Sequence, residues 1–136
     1  MTTGYSGTPL KQKLGIKPDF TVVTLHAPDN YPELLGDHHD IKIIADKPAR
    51  RPNVIHLFTN ARDELFSKLA DFRYVIPQDG AIWVSWYKKA AKLPTEITED
   101  TIREAAFPLG LVDVKVCAVD EKWSGLKLVI RKENRL

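Results

Sequence analysis

The chain is poor in the residues that carry ready-made chemistry: it has one cysteine, one methionine and seven glycines in 136 residues. A lone Cys117 excludes an internal disulfide, so a reducing, cytoplasmic setting is expected. No apolar stretch approaches the roughly 20 residues that cross a bilayer as a helix, and no membrane partner is expected. Met1 to Gly7 are small and polar with no apolar centre, unlike a secretory signal. Neither charge sign dominates, since 20 basic and 18 acidic residues leave a net charge of +2. So mild a balance argues against a dedicated nucleic-acid domain, which carries a concentrated basic face. There is no P-loop, no Cys-x-x-Cys pair and no Ser-His-Asp order. His38-His39-Asp40 has metal-ligating residue types, but adjacent residues seldom hold one ion from regular structure, and no metal is expected.

What is present is the composition of a globular domain, 43% hydrophobic and 28% charged, and one domain over residues 1–136 is expected. Residues 1–7 read as a loose arm. Thr8 and Pro9 read as cap and first residue of a short helix, Pro9 to Leu14, stopped by Gly15. Strands follow at Phe20 to Leu25, Ile41 to Ala45, Val54 to Phe58 and Ala81 to Tyr87, each rich in apolar and β-branched residues. Between them lie helices at Tyr31 to Leu35 and after Asn60, which is placed to cap a helix carrying Leu65, Phe66, Leu69 and Phe72 at helical spacing. Thr98 caps a helix to about Phe107, ended by Pro108 and Gly110. Leu111 to Val119 and Leu126 to Arg131 complete the chain as an antiparallel hairpin around an Asp120 to Gly125 loop. Strands alternating with helices predict an α/β fold. The expected architecture is a three-layer Rossmann-like sandwich with a mostly parallel sheet of about six strands and a C-terminal antiparallel hairpin.

In such a sheet, ligands bind beyond the carboxyl ends of the parallel strands. This chain places His26, Asp46, Thr59 and Asn60 there, and at the end of the fourth strand Trp86, Tyr87, Lys88 and Lys89. Paired lysines beside aromatic rings suit an anion with a planar part. Strand alternation puts Trp86 and Trp83 on opposite faces, with Trp83 in the core. Ser6, Gly7 and Thr8 form a second candidate, an anion cradle at a helix N-terminus, with plain capping by Thr8 as the alternative. The turn after the first strand, His26-Ala27-Pro28-Asp29-Asn30, has no glycine. Dinucleotide and methyl-donor sites need backbone to approach the ligand at that turn, so no cofactor is expected, with S-adenosylmethionine or a nucleotide as the alternative. Asp46, placed to bond a ribose hydroxyl, is the one feature in their favour. Asp120-Glu121-Lys122-Trp123 reads as a hairpin turn with Trp123 folded over the sheet, a carboxylate pair being the alternative.

Gly4-Tyr5-Ser6-Gly7-Thr8-Pro9-Leu10, Lys13 to Pro18, Trp83-Val84-Ser85-Trp86 with Lys88-Lys89, Thr98-Glu99-Asp100 with Ile102-Arg103, Gly110 to Asp113, Lys115 to Glu121 and Trp123 to Lys127 closely resemble a bacterial family recorded as a domain of unknown function. That resemblance spans nearly the whole chain and implies no activity. Val54 to Phe58, Pro77 to Gly80 and Leu111 to Arg131 more loosely resemble the second half of class I methyltransferases. It implies a shortened relative without the glycine loop of the methyl-donor site.

The function expected is a small binding module for an anionic or nucleotide-like ligand at the carboxyl edge of the sheet. Its alternatives are a degenerate methyltransferase-like enzyme, and nucleic-acid or protein-partner binding. The sequence leaves oligomeric state open.

Overall fold

Five of the six predicted strands begin within a residue of their expected positions and join one sheet in the order β2-β1-β3-β4-β6-β5. The strands are β1 (Thr21–Leu25), β2 (Lys42–Ala45), β3 (Val54–Phe58), β4 (Ala81–Tyr87), β5 (Leu111–Ala118) and β6 (Trp123–Ile130). The first four pair in parallel, and β4–β6 and β5–β6 pair antiparallel. This computed structural model describes residues 8–135. The anion cradle expected at Ser6 and Gly7 therefore lies outside the described residues.

The helices are α1 (Leu10–Leu14), α2 (Tyr31–Leu35), α3 (Arg62–Arg73) and α4 (Glu99–Ala106). They divide the sheet's apolar side chains into two cores. Leu65 and Leu69 of α3 and Ile102, Ala105 and Ala106 of α4 pack on Ile55, Leu57, Ile82, Val84 and Leu128. Leu10 and Leu14 of α1 and Tyr31 and Leu35 of α2 pack on the opposite face with Val22, Phe58 and Trp83. Helices on both faces explain why β3 is buried along its whole length and reads as a continuous apolar run. The expected three-layer α/β sandwich is the fold. Among the described residues, no helix is long and apolar enough to cross a membrane.

Three local expectations are corrected. Pro9, not Thr8, occupies the N-cap of α1, with an extended backbone, and the helix starts at Leu10. The Pro9 carbonyl accepts the Gln12 and Lys13 N–H groups at 3.1 and 3.5 Å while its own ψ stays at 138°, so it opens the helix from the cap position. The N-cap of α3 is Ala61 rather than Asn60, because the Asn60 side chain is used elsewhere, as described below. The last strand begins at Trp123 instead of Leu126. One carboxylate oxygen of Asp120 accepts the N–H groups of both Lys122 and Trp123 at 2.8 Å, which closes the turn in three residues and leaves Trp123 free to pair with Tyr87.

The Thr98 cap forms as expected. Its hydroxyl accepts the Thr101 N–H at 3.3 Å while the Thr101 hydroxyl accepts the Thr98 N–H at 3.1 Å, a reciprocal capping box.

Candidate functional site

The chain runs from β1 outward to β2 and then back past β1 to β3, so the topological switch lies between β1 and β3. In open α/β sheets the ligand crevice opens beside that switch. Here His26, Asp46 and Glu64 tie it together with internal bonds. His26 and Asp46 both leave their strands with left-handed backbone, at φ 61° and 57°. The His26 N–H donates to Asp46 Oδ1 at 2.9 Å. Across the switch, His26 Nε2 lies 2.9 Å from Glu64 Oε2 on α3. Burial raises the Glu64 carboxyl, but hydrogen bonds from Thr59 and His26 outweigh it and hold the group below its usual value.

The ends of β3 and β4 are joined in a different way. Asn60 Oδ1 accepts the Tyr87 N–H at 2.8 Å, and the Asn60 carbonyl accepts the Glu96 N–H at 2.9 Å. Glu96 in turn accepts the Arg62 N–H at 2.8 Å, supplying from a distant loop a cap for the first turn of α3. Asn60 thus ties the end of β4 to the loop that returns from it.

That loop builds an open cleft of about 790 Å³. Trp86, Ile97 and Leu93 give it an apolar lining, Val116 and Ser124 close it from β5 and β6, and Lys88 and Lys89 stand beside Thr98 and Glu99 of the α4 N-terminus. Its size falls within the range of small-molecule sites. Lys89 makes no ion pair with the described residues.

Of the expected site residues, Trp86, Tyr87, Lys88 and Lys89 line this cleft together. His26, Asp46, Thr59 and Asn60 do not line it, although all four mark the same edge of the sheet. Thr8 lines a separate surface groove of about 210 Å³ with Pro9 and Glu33. Trp86 is only 7% exposed and belongs to the core under α3 and α4. Tyr87, on the other face, lies 4.5 Å ring to ring from Trp123, which also meets Phe58 edge-on. The two aromatics expected to stack on one ligand therefore face opposite sides of the sheet.

The sequence reading missed the Leu93 to Glu99 wall of the cleft and a buried polar chain beneath α2. Tyr31 Oη lies 2.8 Å from His56 Nδ1, and His56 Nε2 lies 2.7 Å from Ser85 Oγ. Burial pushes the His56 imidazole down to about 3 and raises the Tyr31 phenol, so both are neutral. With all three side chains buried, this chain pins α2, β3 and β4 together and offers no surface for chemistry. The signal was a lone histidine in the apolar run Val54-Ile55-His56-Leu57-Phe58.

A family model described as "Protein of unknown function (DUF3052)" matches residues 34–132. The chain belongs to this family. The matched span includes Trp83 to Lys89 and Gly110 to Lys127, which carried the resemblance in sequence. No curated protein matches the chain by sequence. Several solved structures similar to it are methyltransferases. A SAM-dependent methyltransferase from Aquifex aeolicus superposes with a TM-score of 0.65 at 12% identity, covering 90% of each chain. A putative type 11 methyltransferase from Sulfolobus solfataricus gives 0.61 at 13% identity, covering 93% of this chain and 92% of that one. An O-methyltransferase family 2 protein from Planctomyces limnophilus gives 0.60 at 9% identity, and there the chain covers 87% of itself but spans only 55% of the larger protein. At these identities the likeness establishes a methyltransferase-like fold.

Proposed function

We propose that this DUF3052 protein is a binding module that takes an anionic ligand with an apolar or planar part in the cleft at the end of β4. The observation that carries this reading is the pairing of an apolar floor, Trp86, Leu93 and Ile97, with the cationic wall of Lys88 and Lys89 at the carboxyl edge of the sheet. A lysine ammonium is a compact point charge that suits phosphate or carboxylate, and the apolar floor suits the body of the same molecule.

The fold also suggests S-adenosylmethionine, but the residues at the β1 turn do not fit it. Pro28 has no N–H to offer, and no glycine lets the backbone approach a ligand. An Asp46 carboxylate oxygen that would meet a ribose already accepts the His26 N–H. The His26 ring is engaged by Glu64. No chemical step is routed through a methyl donor on this reading.

Calorimetry of the full chain against adenine nucleotides, sugar phosphates and dicarboxylates tests it, with S-adenosylmethionine as a further arm. A phosphorylated compound is expected to bind, and Lys88→Ala with Lys89→Ala is expected to weaken it about tenfold or more. No binding across the panel, or binding untouched by the double variant, overturns the proposal. Saturable binding of S-adenosylmethionine would instead favour the methyltransferase-like enzyme that the fold suggests.

A further inference from the structure

Strand register sets three side chains in a row on the α1 face of the sheet: Lys115 on β5, Lys127 on β6 and Trp83 on β4. Like charges directly opposite on paired strands repel, whereas an acid at one of the two positions would stabilise the pair. Here the nearest acid on β5, Asp113, is turned away. The register shifts between Asp113 and Lys115, and Asp113 bonds Arg103 of α4 on the opposite face at 3.1 Å.

Two further lysines meet this pair at the end of α1. The α1 helix closes on Gly15 with φ 72°, and a Cβ there would come 3.5 Å from Lys127 Nζ. Lys115 Nζ donates to the Lys13 carbonyl at 2.8 Å, and Lys13 Nζ donates to the Ala118 carbonyl at 3.0 Å. These contacts hold the α1 end and the β5–β6 hairpin together. Lys17 follows two residues after Gly15. Burial first, and then repulsion from Lys115 and Lys17, holds the Lys127 ammonium below its ordinary value. The acids of the described ion pairs are Asp37, Glu64, Asp100, Glu104 and Asp113, and none of them faces these lysines. Lys127 itself makes no side-chain hydrogen bond or ion pair with a described residue.

We infer that Lys17, Lys115 and Lys127, held at the end of α1, form a second ligand site, one that binds a compact chain of phosphates. Several cations converging over a short distance match a ligand carrying several negative charges at similar spacing, and a single carboxylate would leave most of them uncompensated. A long nucleic-acid strand is less suited. The aromatic ring in the row, Trp83, is fully buried, with its indole N–H on the Leu14 carbonyl at 3.1 Å, so it offers no base-stacking surface. The site is separate from the β4 cleft and does not depend on the function proposed for it.

The test titrates the full chain with inorganic tripolyphosphate, orthophosphate, ATP and a single-stranded oligonucleotide, by calorimetry and thermal shift at low and moderate salt. Tripolyphosphate is expected to bind with salt-sensitive affinity and to raise Tm, with orthophosphate much weaker. ATP binding as tightly as tripolyphosphate supports the same site and identifies a nucleotide's phosphate chain as its source. Lys115→Gln with Lys127→Gln is expected to weaken tripolyphosphate about tenfold or more. Lys127→Arg, which keeps the charge, should retain binding, and Lys17→Gln provides a milder loss if the double variant folds poorly. Absence of tripolyphosphate binding at low salt overturns the proposal, as does binding unchanged in the Gln variants. A loss confined to Lys88→Ala with Lys89→Ala would place the phosphate in the β4 cleft and also overturn it. Preference for the oligonucleotide over tripolyphosphate would overturn it in favour of nucleic acid.

Discussion

His56 and Ser85 stand on adjacent parallel strands and meet through a 2.7 Å hydrogen bond between Nε2 and Oγ, inside a core that is apolar around them apart from the Tyr31 hydroxyl. The contact is diagonal, since His56 pairs with Trp83 and Ser85 with Phe58 in the ladder. Ser85→Ala leaves a buried imidazole nitrogen without its partner. That is expected to cost about 1–3 kcal/mol, read by urea denaturation. A variant as stable as wild type would show that the bond contributes little.

The same histidine gives the protein an acid-sensitive limb. Its folded-state value is about 3 against an ordinary 6.5, so below pH 6.5 the unfolded chain takes up a proton that the folded chain refuses. Stability should therefore be full above pH 6.5 and decline as pH falls toward 3. His56→Gln should flatten that decline in a series of denaturation curves taken across the window, whatever its effect at neutral pH. An unchanged slope would count against the assignment.

Gly125 is needed for its lack of a side chain. A Cβ there would sit 3.2 Å from the Trp83 ring, 3.2 Å from Val119 Cγ2 and 3.3 Å from Ser85 Oγ. These neighbours are buried on three sides and have little room to move. Gly125→Ala is expected to destabilise by about 1–3 kcal/mol through overpacking. Thermal unfolding checks this, and a rise in Tm would refute it.

Asn60 links stability to the cleft. Asn60→Ala removes the acceptor of the Tyr87 N–H, immediately before the two lysines. The loss expected is about 1–3 kcal/mol of stability, together with weaker binding of any cleft ligand. Asn60→Asp, which keeps an acceptor oxygen, should recover most of both in paired denaturation and calorimetry.

Thr98→Ala breaks the capping box at the start of α4 and should cost about 1 kcal/mol in chemical denaturation.

Much of this fold is legible in sequence because its strands are short apolar runs between clear turn residues. Ala81 to Tyr87, opened by Asp79-Gly80, is one such run, and Thr98 announces α4 without ambiguity. The abrupt end of the run in charge points to a site at Trp86 to Lys89, and these residues line the cleft. The carboxyl ends of the parallel strands put His26 and Asp46 at the same edge. Yet β1 and β2 stand two and three strand spacings from β4, about 10 and 14 Å, and neither residue lines the cleft. Asn60 looked like a helix cap because its residue type favours that role, and only the tertiary arrangement assigns its oxygen to Tyr87. The Lys115–Lys127 pairing is invisible in sequence, because a register shift within β5 decides which residues face each other.

The last strand of the described residues is not the outermost one. The order β4-β6-β5 inserts Trp123–Ile130 between two strands synthesised before it. During synthesis β4 keeps an open hydrogen-bonding edge until β6 has followed it, and β5 has no sheet to join. Until β6 docks, the nascent chain carries an exposed, aromatic edge of the kind that other strands can capture.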